Sequence, residues 1–123
     1  MNIESPLASF YSGLDEGLAS QEGRSALLAR LSDDFQWEIS LPDKTNEGNK
    51  DDFAGFLEAR AKAALRKKAG HHVTMSTRDG SREVIMGYLK MAGAAPSPFV
   101  AAASIDADGR IARLMLRRSL LDL

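Results

Sequence analysis

Among 123 residues that include no cysteine, the side chains able to exchange a proton near neutral pH unaided are two adjacent histidines, His71 and His72. They open a run, His71 to Arg78, that reads as a strand, and neighbours on a strand point to opposite faces, so at most one of them faces an interior. Val73, Met75 and Thr77 share the side of His71, which makes His71 the candidate acid or base; a histidine packed at a strand end gives the same pattern without chemistry. Two histidines with no evident third ligand are a poor metal site, and no metal is expected. Tyr88 shares a face of the next run with Val84 and Met86, where its phenol could donate to a ligand carbonyl or simply fill a core. Arg118 falls on the side of Leu114 and Leu116 in the last run, where it could hold a carboxylate at a pocket mouth or stand in solvent.

Other chemistries have no residues to carry them. Thiol catalysis, disulfides and cysteine zinc sites are excluded, and there is no phosphate-binding loop, dinucleotide fingerprint, serine elbow or helically spaced carboxylate pair, so no cofactor is expected. Sixteen Lys+Arg against seventeen Asp+Glu leave a net charge of -1, with no steering field toward nucleic acid or acidic membranes. The basic run Arg66-Lys67-Lys68 carries no interleaved aromatics and complements a helix C-terminus. Met1 to Phe10 has no leader pattern, and no apolar stretch approaches the roughly 20 residues of a membrane helix. The expectation is one soluble, cytoplasmic domain over residues 1–123, with no membrane or nucleic-acid partner.

The elements that must position these groups follow from periodicity. Leu7, Phe10, Tyr11, Leu14 and Leu18 form the stripe of an amphipathic helix. Ser20 predicts the cap of a second helix with contacts at Leu27, Leu28 and Leu31, stopped by Ser32, Asp33 and Asp34. From Phe35 the period becomes two, with Trp37, Ile39 and Leu41 on one side up to Pro42. Asp43 to Asn49 reads as a polar loop, and Asn49 as the cap of a third helix with a stripe through Phe53, Phe56, Leu57, Ala61, Ala64 and Leu65, ending at Gly70. Four strand-like runs follow, two of their turns marked by Asp79-Gly80 and Asp108-Gly109. Helices first and a meander afterwards predict an α+β fold, three N-terminal helices packed on a curved, mostly antiparallel sheet.

The order of elements, the junction Leu27-Leu28-Ala29-Arg30-Leu31-Ser32-Asp33-Asp34-Phe35, the Gly48 to Leu57 helix and the His71-His72-Val73-Thr74-Met75 strand with its Asp79-Gly80 turn resemble the nuclear transport factor 2-like (NTF2-like) superfamily, in particular its SnoaL-like and ketosteroid-isomerase-like branches. The resemblance implies a cone whose concave sheet face and helices enclose an apolar pocket, with the convex face used for dimerisation. It also places Ile39 where the isomerase branch keeps its aspartate base, Phe10 at its tyrosine and Ala101 at its protonated acid, a carboxyl that an apolar site keeps neutral. With all three polar groups missing, ketosteroid isomerisation by the usual residues is not expected. Phe10, Trp37, Ile39, Phe56, Met75, Met86, Ala101, Leu114 and Arg118 are the expected pocket residues. Two readings stand: a SnoaL-like protein that binds a small, largely apolar molecule, with lyase, cyclase or isomerase chemistry through His71 and Tyr88; or a non-catalytic dimerisation or ligand-binding module. The expected homodimer face holds Val100, Ala102 and Ser104, bordered by Arg113, Met115 and Arg117.

Overall fold

Serine caps start the first two helices of this computed structural model, which describes residues 5–64 and 69–119. Ser5 Oγ accepts the Ala8 amide ahead of α1 (Pro6–Gly17), and Ser20 Oγ accepts the Gly23 amide ahead of α2 (Gln21–Leu28). The chain continues through β1 (Leu31–Ser40), β2 (Thr45–Asn49), α3 (Lys50–Ala64), β3 (Ala69–Asp79), β4 (Arg82–Met91), β5 (Ser97–Ile105) and β6 (Ile111–Arg118). The entry to α3 is tied at three points. Asn49 Oδ1 accepts the Asp52 amide, Asp52 Oδ2 accepts the Asn49 amide, and Trp37 Nε1 donates to the Asn49 carbonyl at 2.8 Å. Leu65 and the Arg66-Lys67-Lys68 run lie outside the described residues.

The six strands form one sheet in the order β2-β1-β6-β5-β4-β3, antiparallel throughout except for the parallel pair β1–β6. The helices cover one face. Leu7, Phe10 and Leu14 of α1 and Phe53 and Leu57 of α3 pack on Phe35, Ile85, Phe99, Leu114 and Leu116 in a single core. The α+β architecture is the expected one. Two boundaries differ. Leu31 and the Ser32-Asp33-Asp34 stretch belong to β1 and not to the end of α2, because fully buried Leu31 pairs with Ile111 and the Arg30 carbonyl accepts the Ile111 amide. The Asp43 to Asn49 segment is a loop only in its first part. Thr45 to Asn49 forms an edge strand on β1 whose side chains are all polar or absent, so it has no apolar alternation to betray it.

Glu83 joins the helical layer to the sheet. Only 1% exposed on the inner side of β4, its carboxylate accepts the Leu7 amide at 2.8 Å and the Ser5 hydroxyl. A carboxylate there satisfies donors that the first turn of a helix leaves free and meets the positive end of the helix dipole.

The β3–β4 hairpin turns at Gly80, which has φ 61°. Its register slips by one residue between Val73 and Met75, the mark of a β-bulge. At that point a Cβ on Gly87 would collide with the His72 carbonyl, so the close approach requires glycine. The bulge also decides which residues face inward. His71 and Val73, opposite Leu89 and Gly87, lie on the helix side, whereas Met75 lies opposite Met86 on the outer side.

Candidate functional site

A cavity of about 580 Å³ opens between α1, α3 and the inner sheet face. Its wall is mostly apolar: Phe10, Tyr11 and Leu14 from α1, Phe53, Phe56 and Leu57 from α3, and Ile39, Leu41, Leu89, Phe99 and Leu116 from the strands and their ends. Among the described residues, five ionisable side chains besides Tyr11 interrupt it: Asp15, Arg60, Lys62, His71 and Arg118.

His71 is held by Asp15 from the last turn of α1. Asp15 Oδ2 accepts the His71 backbone amide at 2.7 Å, and Asp15 Oδ1 lies 2.8 Å from His71 Nδ1. An ionised carboxylate can only accept, so Nδ1 carries the proton in this bond, and Nε2 of the neutral ring is left with its lone pair. The ring is 13% exposed and the carboxylate 25%. Around the imidazole stand the rings of Tyr11 and Phe99, with centroids at 5.3 and 5.7 Å. Tyr11 is buried, burial pushes its phenol well above the ordinary tyrosine range, and its hydroxyl has no hydrogen-bond partner among the described residues. It therefore stays neutral and able to donate at any physiological pH.

Arg118 stands on β6, three strands from His71 on the same sheet. Burial and the nearby Arg60 push its guanidinium below the usual arginine range, opposed by Asp43. Its Nε is buried with no hydrogen-bond partner among the described residues. A buried donor left unpaired costs about 1–3 kcal/mol.

Of the residues expected from sequence, the structure brings His71, Phe10, Ile39, Phe56 and Arg118 to this cavity. The others stand elsewhere. Tyr88 is on the outer sheet face, stacked on His72 with centroids 4.8 Å apart and planes at 18°, so it has no path to the cavity. Met86 shares that outer face because β4 directs Glu83, Ile85 and Leu89 inward. Met75 is turned outward by the bulge and is 50% exposed. Trp37 is buried on the inner side but sits behind Phe53 and Phe56, at 5.2 and 5.1 Å, and does not line the space. Ala101 and Leu114 are core residues outside the cavity wall.

Asp15, Tyr11 and Arg60 were not singled out from sequence as pocket groups. A signal existed for Asp15. It follows Tyr11 by one helical turn on the buried side, and it puts a negative charge in a last turn that has no basic residue, against the preference of the helix dipole. Among the described residues no three His, Asp or Glu side chains are grouped as a metal would need, and no helix is long and apolar enough to cross a membrane.

No family model matches the chain, and no curated protein matches it in sequence. Solved structures match it in fold. An NTF2-like protein of unknown function from Exiguobacterium sp. 255-15 superposes with a TM-score of 0.72 at 15% identity, covering 95% of this chain and 100% of that one. A proposed isomerase of the SnoaL-like family from Agrobacterium tumefaciens str. C58 gives 0.67 at 12% identity, covering 93% and 97%. A proposed polyketide cyclase from Sinorhizobium meliloti gives 0.63 at 19% identity, covering 89% and 91%. The chain has the fold of the NTF2-like and SnoaL-like proteins.

Proposed function

We propose, from the NTF2-like fold and the lining of its cavity, that the protein binds a small, largely apolar molecule and moves a proton on it through His71, the chemistry of a lyase, cyclase or isomerase. The observation that carries this reading is the 2.8 Å contact between His71 Nδ1 and Asp15 Oδ1 at the wall of an otherwise apolar cavity. Asp15 fixes the tautomer and the ring orientation, so that Nε2 can take a proton from a carbon next to a carbonyl. The imidazolium formed is stabilised by the Asp15 carboxylate. The electron pair left on carbon delocalises onto the carbonyl oxygen, where the Tyr11 hydroxyl can donate to the developing charge. Return of the proton to another carbon gives isomerisation, and loss of a β-substituent gives elimination. The wall holds Ile39 and Phe10 where the isomerase branch keeps ionisable or hydrogen-bonding groups, so His71 is the base in this reading. Phenylacetone, apolar and activated at its benzylic carbon, is a simple probe. Its exchange of hydrogen for deuterium in D2O should accelerate with the protein and fall by about 10²- to 10⁴-fold in His71→Gln. Exchange no faster than in buffer for phenylacetone and related ketones would favour a module that only binds.

A second surface supports pairing. We propose that the outer sheet face pairs two copies of the chain. Met75, Met86 and Val100 are register neighbours across β3, β4 and β5, and Val84, Ala102 and Met115 form the next row. Met75, Val100 and Met115 are 50%, 37% and 57% exposed, and apolar side chains that adjoin one another in water favour a partner surface.

A further inference from the structure

We infer that the molecule taken into the cavity is an amphipathic carboxylate, with its charged end on Arg118 and its apolar body reaching toward His71. This rests on the ligand-binding reading above and adds the substrate class to it.

The cavity wall is unbalanced in charge. Among the described residues, Arg60, Lys62 and Arg118 share the wall with one carboxylate, Asp15, and both of its oxygens are engaged by His71. Arg118 makes no ion pair among the described residues, although Asp43 is near enough to act on it electrostatically; Asp43 is itself exposed. Arg60 stands close enough to repel it. Among the described residues neither guanidinium is ion-paired to a carboxylate, and the Nε of Arg118 is buried with no hydrogen-bond partner there. A carboxylate is the partner that fits. Its two oxygens match the fork of a guanidinium, and its charge relieves the repulsion between the two arginines.

The topology sets where the rest of the molecule lies. Arg118 is on β6 opposite Phe99, and His71 is on β3, three strands away and on the far side of β5 and β4. That is roughly 14 Å across the sheet at the usual strand spacing. Phe99 lies between them, its ring 5.7 Å from that of His71. A ligand anchored at Arg118 would therefore cross Phe99 and present its other end, not the carbons beside its carboxylate, to His71.

The test compares 4-phenylbutyrate with the uncharged, nearly isosteric 4-phenylbutanamide, by NMR titration of the intact protein with the amides of Phe99 and Leu116 as reporters of cavity binding. The expected result is at least tenfold tighter binding of the acid, a preference that Arg118→Gln removes. Arg60→Gln should reduce the preference in the same direction and covers the case in which the Arg118 variant does not fold. Equal affinity for acid and amide in the unmodified protein would overturn the carboxylate assignment and leave the ligand-binding reading standing. A preference that survives both substitutions would overturn it too. No response of the cavity amides to either compound would overturn both.

Discussion

Asp15 grips His71 twice, through the backbone amide and through ring Nδ1, from a helix 56 positions away in sequence. One contact fixes where β3 passes beneath α1, and the other fixes how the imidazole is turned. A histidine with a single ring contact could rotate about that bond. This one is positioned as a backbone segment and as a side chain by the same carboxylate.

Asp15→Asn should therefore lower proton transfer on phenylacetone nearly as much as loss of the histidine, by about 10²-fold or more, while leaving the fold intact. The asparagine amide can donate to Nδ1 and so stabilise the tautomer with its proton on Nε2, where the lone pair is needed. Deuterium exchange rates of the two variants, measured beside their circular dichroism, check this.

Tyr11 makes stability depend on alkaline pH. Burial raises its ionisation above the ordinary phenol range, whereas in the unfolded chain it ionises near pH 10. Above that pH the unfolded state releases a proton that the folded state retains, so stability is full below about pH 10 and falls as pH rises further. Urea unfolding between pH 8.5 and 11.5 should show this loss in the unmodified protein and a smaller one in Tyr11→Phe.

Removing the charge at Glu83 should loosen α1. Glu83→Gln keeps the shape but weakens the bonds to Leu7 and Ser5, at an expected cost of about 1.5–3 kcal/mol in urea unfolding. Hydrogen exchange at the first turn of α1 should rise more than exchange in β5 and β6.

Gly87→Ala should be destabilising by about 1–3 kcal/mol, because the added methyl meets the His72 carbonyl at the bulge and no side-chain rotation relieves it. Thermal unfolding checks the size. The same substitution should disturb the His71–Asp15 contact, seen as a change in the His71 ring resonances.

Light scattering at micromolar concentration should give the mass of a dimer, and Met115→Glu should convert it to a monomer, since the substitution puts a charge on the most exposed of the large apolar side chains of the outer face. A monomeric mass for the unmodified protein would remove the pairing proposal and leave the cavity unaffected.

Periodicity made the helices, the main strands and the α+β order legible, because the apolar stripe of α1 and the alternation Phe35, Trp37, Ile39 are long enough to decide. It made β2 illegible, since an edge strand with only polar side chains carries no period. Arg118 was placed on the correct side by alternation from Leu114 and Leu116. Met75 was not, because alternation from His71 holds only until Thr74 adds a residue to the count, and a bulge leaves no apolar signature. Tyr88 was misplaced for a different reason. Its partners Val84 and Met86 are apolar residues on the outer face, and an outer face that is itself apolar reads like a core. Asp15 became visible only when the fold brought α1 over β3.

The parallel pairing of β1 with β6 also governs the order in which the domain can assemble. Leu31 and Ile111 are partners far apart in sequence, so the β1–β6 seam of the sheet cannot close until β6 has left the ribosome. Until then β1 can pair only with its short polar neighbour β2, and its inner side chains have only the helices, through Phe53 and Phe56, to cover them. The β3–β6 meander, made of antiparallel neighbours, closes its loops cheaply and would form first. Its completed edge at β6 then serves as the template that captures β1, with refolding expected on the slow, roughly millisecond-to-second scale of distant strand pairing.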